Sequence, residues 1–566
     1  MHDVTVEHSV AAPMRDGVVL RADVYRPVPA GPWPVLLTRL PYGKHLPGPL
    51  RSFVDPLGLA RGGFIVVVQD TRGRFTSDGD WEPWTFEADD GYDTVRWAAT
   101  LPGANGVVGM FGASYFGNTQ WMAALAKPPE LKAIAPAVTW SEPLDGLFSR
   151  GGVLELGITV PWSLSQGADT LVRRHASDPV ALGAAINGLV ADIDNVATDA
   201  YWELPAEHHP AFPRHGIREM GFERVQEDPS WAAFCRVAGR QAEVELPTLL
   251  VSGWYDIFSQ GTLDNFTAMR SAGRSATLIM GPWAHTDNSG YLGDVNFGLA
   301  SSGELMGFRG SLADLQLAWF RHHLDSTSTT GENVSASATL PPVLLFVMGR
   351  NEWREEQEWP LSRTVQTELF LRADGRLELE PPAEGEGADS FRYDPADPVI
   401  TAGGALLMSN EFRPGPVNQA NVESRPDVLV YTTAPLTEDV EVTGRVRAVL
   451  HAATDVPSTD WVVRVCDVDL MGTSRNLVDG IVRSATQPDY FAAREVDLWS
   501  TSHVFRAGHC IRVHVTSSNF PRWARNLNAG EPIGDKSNMR SAQQQIAHDA
   551  ERPSRIILPV VPKRSV

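Results

Sequence analysis

The chain has 566 residues and a formal net charge of −21 at pH 7. That length exceeds what one hydrophobic core fills, so several domains are expected, and the acidic excess would repel nucleic acid and anionic membrane surfaces, so neither is expected as a partner. Three scattered cysteines, Cys235, Cys466 and Cys510, with no leader-like start and no apolar run long enough to cross a bilayer, predict a cytoplasmic protein without disulfides, metal or organic cofactor.

Residues 35–38, 64–68, 107–111 and 131–135 are short β-rich runs, and helix-like segments fall between them at 90–100 and 118–126. Strands alternating with helices predict a mostly parallel sheet with covering helices over residues 1–140. The third run passes into Gly109-Met110-Phe111-Gly112-Ala113-Ser114-Tyr115-Phe116-Gly117. A serine among small residues, between a strand and a helix, has the pattern of a nucleophile elbow: the chain turns so sharply that only small neighbours fit, and the hydroxyl projects from the end of the sheet. Glycine usually stands two residues after such a serine. Here that residue is Phe116, with Gly117 one further on, so a variant elbow is expected.

From 141 to 242 the alternation stops, strand-like runs are lacking and helical pieces such as 179–193 take over, which predicts a helical cap inserted above the strand ends. The α/β pattern resumes from 243 to 354. One apolar run there reaches Gly253 and continues Trp254-Tyr255-Asp256; the next closes at Gly281 and continues Pro282-Trp283-Ala284-His285. From 355 to 566 the texture is short β-rich runs, with alternation through 442–450 that predicts half-buried antiparallel strands of a β-sandwich. The Pro-, Gly- and Glu-rich stretch 380–387 is expected to be a solvated loop within it.

A serine hydroxyl needs a base to become a nucleophile, and a histidine base needs a carboxylate to fix its tautomer. Behind an elbow the chain order is serine, acid, histidine, and Ser114, Asp256 and His285 follow it, each at the predicted carboxyl end of a strand, where open α/β sheets keep their sites. Of the fifteen histidines, His285 alone combines that order with a preceding strand and a glycine stop; His322 and His323 lie on the helically spaced segment 311–324.

Ser114-Tyr115-Phe116-Gly117, Gly253-Trp254-Tyr255-Asp256, Gly281-Pro282-Trp283-Ala284-His285 and the upstream Arg39-Leu40-Pro41-Tyr42-Gly43-Lys44 resemble the bacterial cocaine esterase group, which belongs with the Xaa-Pro dipeptidyl peptidases and the α-amino acid ester hydrolases. Pro13-Met14-Arg15-Asp16-Gly17-Val18, Gln69-Asp70-Thr71-Arg72-Gly73 and Ser517-Ser518-Asn519-Phe520-Pro521 extend the likeness along nearly the whole chain. The resemblance implies an α/β-hydrolase core, a helical cap and a jelly-roll β-sandwich. It also implies an oxyanion hole made by the Tyr42 hydroxyl and the backbone N–H of Tyr115, and a pocket lined by Trp162, Phe258 and Leu407 or Met408. Such a pocket is apolar and suits an aromatic or branched acyl group.

The expected reaction is hydrolysis of a small-molecule carboxylic ester through an acyl-enzyme. An Xaa-Pro dipeptidyl peptidase or amidase remains open, which would need an acid to hold a free α-amino group; Glu142, Asp145 and Glu155 near the cap entrance are candidates. Transfer of the acyl group to an acceptor other than water also remains, as does a non-catalytic ligand-binding protein on the same fold. Exposed strands of the β-domain offer a homodimer contact.

Overall fold

The computed structural model describes residues 2–46, 55–324, 340–485, 487, 489–530 and 538–563. Ten strands form the central sheet: β1 (Asp3–Pro13), β2 (Val19–Val28), β3 (Trp33–Leu40), β4 (Ile65–Asp70), β5 (Ala104–Ala113), β6 (Leu131–Ala137), β7 (Thr248–Tyr255), β8 (Ala276–Ala284), β9 (Val343–Val347) and β10 (Glu352–Glu356). Their order is β1-β2-β4-β3-β5-β6-β7-β8-β9-β10. From β4 to β9 every neighbour runs parallel, while β1, β2 and β10 add antiparallel edges.

The parallel strands are covered on both faces, which is why β4 and β7 are buried at every position and appear in the sequence as continuous apolar runs. Val35, Leu37, Ile65, Val67 and Met110 point into one apolar cluster with α1 (Glu87–Ala99), α2 (Tyr115–Ala126) and α5 (Ser259–Ser271). Leu36, Val66, Val68 and Phe111 point into the opposite one, which is closed by α6 (Leu312–Leu324). The β1–β2 hairpin was not visible as a strand pair in the sequence. β1 is an edge strand exposed along most of its length, and its His, Glu and Ser side chains mask the apolar alternation.

Between β6 and β7 lies the cap, with α3 (Leu156–Arg174) and α4 (Pro179–Asp194) as its long helices. Asp178 caps α4 through the amides of Val180 and Ala181. Contrary to the strand-free expectation, Ser149–Arg150 and Val153–Leu154 pair as two short strands, too brief to leave a periodic trace. Helix α3 contains Pro161, which has no N–H for the carbonyl of Gly157. The hydroxyl of Tyr201 donates to that carbonyl instead, at 2.8 Å.

The C-terminal part is a mostly antiparallel β-domain. Val440–Thr454 and Ser458–Val468 lie towards opposite ends of its hydrogen-bonded strand order, yet their inward side chains, among them Val446, Leu450, Trp461 and Val465, share one core. The sheet must fold back on itself to bring them together, as a sandwich does. The 380–387 loop is largely exposed, but Glu386 turns inward and accepts from Arg372, which holds its carboxyl down at about 2.

Candidate active site

Ser114 stands between β5 and α2 at φ 56°, ψ −123°, a backbone that L-residues adopt only under tertiary constraint. The constraint is visible on both sides. A Cβ on Gly112 would come within 2.3 Å of the Phe116 ring, and one on Gly117 within 2.9 Å of the Ala137 carbonyl of β6. Phe116 therefore occupies the space that Gly112 vacates, and the close approach that would require glycine at position 116 has moved to 117. The Ser114 amide donates to Ala137 at 2.9 Å, and its carbonyl starts α2 by accepting from Gly117 and Asn118.

Asp256 and His285 follow the ends of adjacent parallel strands. Tyr255 of β7 and Ala284 of β8 are register partners, so the next residue of each strand emerges beside the other. Nδ1 of His285 lies 2.7 Å from Oδ1 of Asp256, and the Ser252 hydroxyl donates to Oδ2 at 2.7 Å. Asp256 is fully buried and His285 nearly so. The two glycines that stopped these runs in the sequence both make room for Trp283: a Cβ on Gly253 would meet its carbonyl oxygen at 2.2 Å, and one on Gly281 would meet its ring at 2.2 Å. The Trp283 indole is then pinned by donating to Ser301 at 2.8 Å. Phe258 packs edge-on against the His285 ring at 5.3 Å between centroids.

Tyr42 lies just beyond β3, in a segment tied down on both sides. Arg74 donates to the Pro41 carbonyl at 3.0 Å, and the Lys44 amide donates to Asp70 at 2.7 Å. The side chains of Ser114 and Trp162 reach the Tyr42 hydroxyl, and burial pushes that phenol well above its ordinary range despite nearby Arg74. Its ring lies edge-on to Tyr115 and Phe116. Tyr115 is the first residue of α2, so its N–H has no intrahelical acceptor. Its side chain is directed elsewhere: the hydroxyl donates to Glu87 at 2.7 Å, Glu87 in turn accepts from Arg39, and the ring stacks on Trp84 at 4.0 Å.

Above this floor, Phe258 belongs to an apolar cluster with Tyr115, Trp140 and Phe148, and Tyr42, Trp162, Leu407, Met408 and Phe412 pack against it. The core, the cap and the β-domain thus all contribute to one apolar cluster. Met408 is seated on α3, where a Cβ on Gly157 would come within 2.8 Å of it. The three cap acids have other attachments. Glu142 pairs with Arg236 at 2.9 Å, and Asp145 accepts from the Gly151 amide at 3.1 Å. Glu155 is not at an entrance: it is fully buried and accepts from the Trp523 indole at 2.8 Å.

Ser252, Glu87, Trp84 and Arg74 were not singled out from the sequence. Only Arg74 had a signal there, one residue past Gln69-Asp70-Thr71-Arg72-Gly73. Among the described residues, no group of three or more His, Cys, Asp or Glu side chains is arranged to hold a metal ion, and no described helix is long and apolar enough to cross a membrane.

A strained serine, a histidine braced by a buried carboxylate and a phenol reaching the serine form the parts list of acyl transfer. Residues 16–287 match the family model of the X-Pro dipeptidyl-peptidase (S15 family), and residues 335–557 that of the X-Pro dipeptidyl-peptidase C-terminal non-catalytic domain. The cocaine esterase of Rhodococcus sp. (strain MB1 Bresler) is 36% identical, with 98% of this chain and 99% of that one covered. The chain belongs to the cocaine esterase and X-Pro dipeptidyl-peptidase (S15) family. It is accordingly a serine hydrolase acting on esters. A putative serine esterase of Mycobacterium bovis is 24% identical over 90% of each chain. Two solved structures share the fold at 24% identity, each covering 99% of this chain and 97% of its own. One is an aminopeptidase from the marine sediment archaeon Thaumarchaeota archaeon, at a TM-score of 0.80, and the other an α-amino acid ester hydrolase, at 0.78.

Proposed function

We propose that this family member is a carboxylesterase in which Ser114 is the nucleophile, His285 the base and Asp256 the group that orients it. The observation that carries the reading is the 2.7 Å contact between His285 Nδ1 and Asp256, made at the end of the sheet where the Ser114 elbow also opens. That contact leaves Nε2 as the nitrogen that takes the serine proton and later gives it to the leaving alcohol. As Ser114 attacks, charge develops on the former carbonyl oxygen, and the Tyr42 hydroxyl and Tyr115 N–H receive it. Water then repeats the cycle on the acyl-enzyme.

Trp162, Phe258, Leu407 and Met408 form the acyl-side wall in this reading, and their apolar character favours an aromatic or branched acyl group over a charged one. Esterase rather than dipeptidyl-peptidase action is supported by the cap acids: Glu142, Asp145 and Glu155 are occupied by Arg236, the Gly151 amide and Trp523. In the same reading residues 1–140 and 243–354 form one catalytic core, 141–242 its cap and 355–566 the β-sandwich. The test is Ser114→Ala, which should abolish both hydrolysis of an activated aryl ester and labelling by a fluorophosphonate probe. Retention of either signal rejects Ser114 as the nucleophile.

A further inference from the structure

The outward face of the β-sandwich beneath the cap carries a buried polar layer that the hydrolase chemistry does not use. Arg464, on Ser458–Val468, is register partner to Asp479 on one side and His514 on the other, so the three side chains share that face. Arg464 is 1% exposed, yet its Nε, Nη1 and Nη2 all lack a hydrogen-bond partner among the described residues. Its two neighbours are committed elsewhere. Asp479 accepts from Arg522 at 2.5 Å and lies 3.9 Å from Arg150, while His514 is taken by Glu423, which also accepts from Arg512.

The layer is short of negative charge. Three buried guanidinium groups, Arg150, Arg464 and Arg522, face two buried carboxylates, Asp479 and Glu155. The unsatisfied polar atoms are mostly donors: besides Arg464, they include Nε and Nη2 of Arg522 and Nδ2 of Asn476, with Oδ1 of Asn519 as an acceptor nearby in the chain. The roof over this layer includes Gly403 and Gly404, at φ 68° and 103°. A Cβ on Gly404 would lie 3.2 Å from Asp479 Oδ2, 3.3 Å from Asn476 Nδ2 and 3.6 Å from Arg522 Nη1, so the glycine lets the backbone close directly over these polar atoms.

We propose that Arg464, with Arg522 and Asn476, forms a buried site for one small inorganic monoanion of halide size, roofed by Gly403 and Gly404. A guanidinium removed from water without a counter-charge is strongly destabilising, and a monoanion supplies both the missing charge and the acceptor for the unpaired N–H groups. A divalent anion would overcompensate beside Asp479. The site lies where the cap, through Glu155 and Trp523, meets the sandwich, so an occupant would stabilise that junction.

The test uses the full-length enzyme. Thermal unfolding is followed in sodium chloride, sodium bromide and sodium gluconate at equal ionic strength, which holds general screening constant. Chloride and bromide should raise the midpoint saturably by several degrees, gluconate should not, and Arg464→Met should remove the difference between the salts. Crystals of the wild type grown in bromide should show an anomalous peak against the Arg464 guanidinium, a measurement that stands even if the variant fails to fold. Equal midpoints in the three salts overturn the proposal, as does a bromide map with water alone at Arg464.

Discussion

The end of the central sheet and the junction between cap and sandwich are both rich in buried polar side chains, but they hold them in different ways. At the sheet end the partners are close in the chain or on adjacent strands: Asp256 sits between Ser252 and His285, and the Ser114 amide reaches one strand across to Ala137. At the junction the partners are far apart in sequence: Trp523 reaches Glu155, Tyr201 reaches Gly157, and Met408 lies on the same glycine. The first region positions atoms to within bonding distance of one another, and the second packs the cap and the β-domain against each other, where the proposed pocket wall lies. Substitutions in the first should therefore remove chemistry and spare the fold, whereas substitutions in the second should redistribute substrate preference.

The most severe test of that difference is to break the pair at the sheet end. Asp256→Asn, which keeps the shape and loses the charge that holds the imidazole, should lower kcat against an aryl ester about 10⁴-fold while the far-ultraviolet circular dichroism stays unchanged. A loss of only a few fold would mean that His285 is oriented by something else. Tyr42→Phe should cost less, on the order of 10² to 10³ in kcat with little change in KM, because in the proposed mechanism the Tyr115 N–H remains as a second oxyanion donor. Since burial raises the Tyr42 phenol above its ordinary range, the donor keeps its proton as pH rises. The wild-type kcat profile should accordingly show no descending limb between pH 8 and about 10 that the Phe variant lacks.

On the proposed wall, Leu407→Ala or Met408→Ala should leave the turnover of a small acetyl ester nearly intact. The ratio of kcat/KM for a benzoyl ester to that for an acetyl ester should fall by roughly 10- to 200-fold, the range that apolar pocket contacts command. An equal loss on both esters would place these side chains in the machinery rather than the wall, and the distinction between the two regions would fail there.

The same contrast explains what the sequence revealed. Ser114, Asp256 and His285 stood out because each follows a buried run and a glycine, and both features have local causes: parallel strands covered on two faces, and close approaches to Phe116 and Trp283 that exclude a Cβ. Ser252 gave no signal, since a serine inside a strand looks like any other polar interruption until its neighbour strand is known. Glu155 was misplaced for a related reason. A carboxylate beside a helix start is ordinarily solvated, and here groups distant in the chain, Trp523 and Arg522 among them, make a buried one tolerable. The two-residue strands of the cap and the exposed edge strand β1 escaped because neither leaves an apolar period.

Glu219 offers the finest distinction, because it tests whether the cap's hold on the site floor can be altered without touching chemistry. Its carboxylate accepts from the amides of Gly221 and Phe222, and the intervening Met220 carbonyl accepts from the indole of Trp84, the ring stacked on Tyr115. Burial outweighs those amide bonds and raises the carboxyl from its ordinary 4.5 to about 7. A folded-state value above the unfolded one means that the native state binds the proton more tightly between these limits, so stability falls as pH rises from about 4.5 to 7 and stays lowered beyond. Glu219→Gln keeps an oxygen for the two amides and cannot ionise. It should unfold like the wild type in urea at pH 4.5 and be more stable at pH 8, by on the order of 3 kcal/mol, with kcat unchanged at both. A gain of equal size at the two pH values would trace the effect to packing rather than to the buried charge.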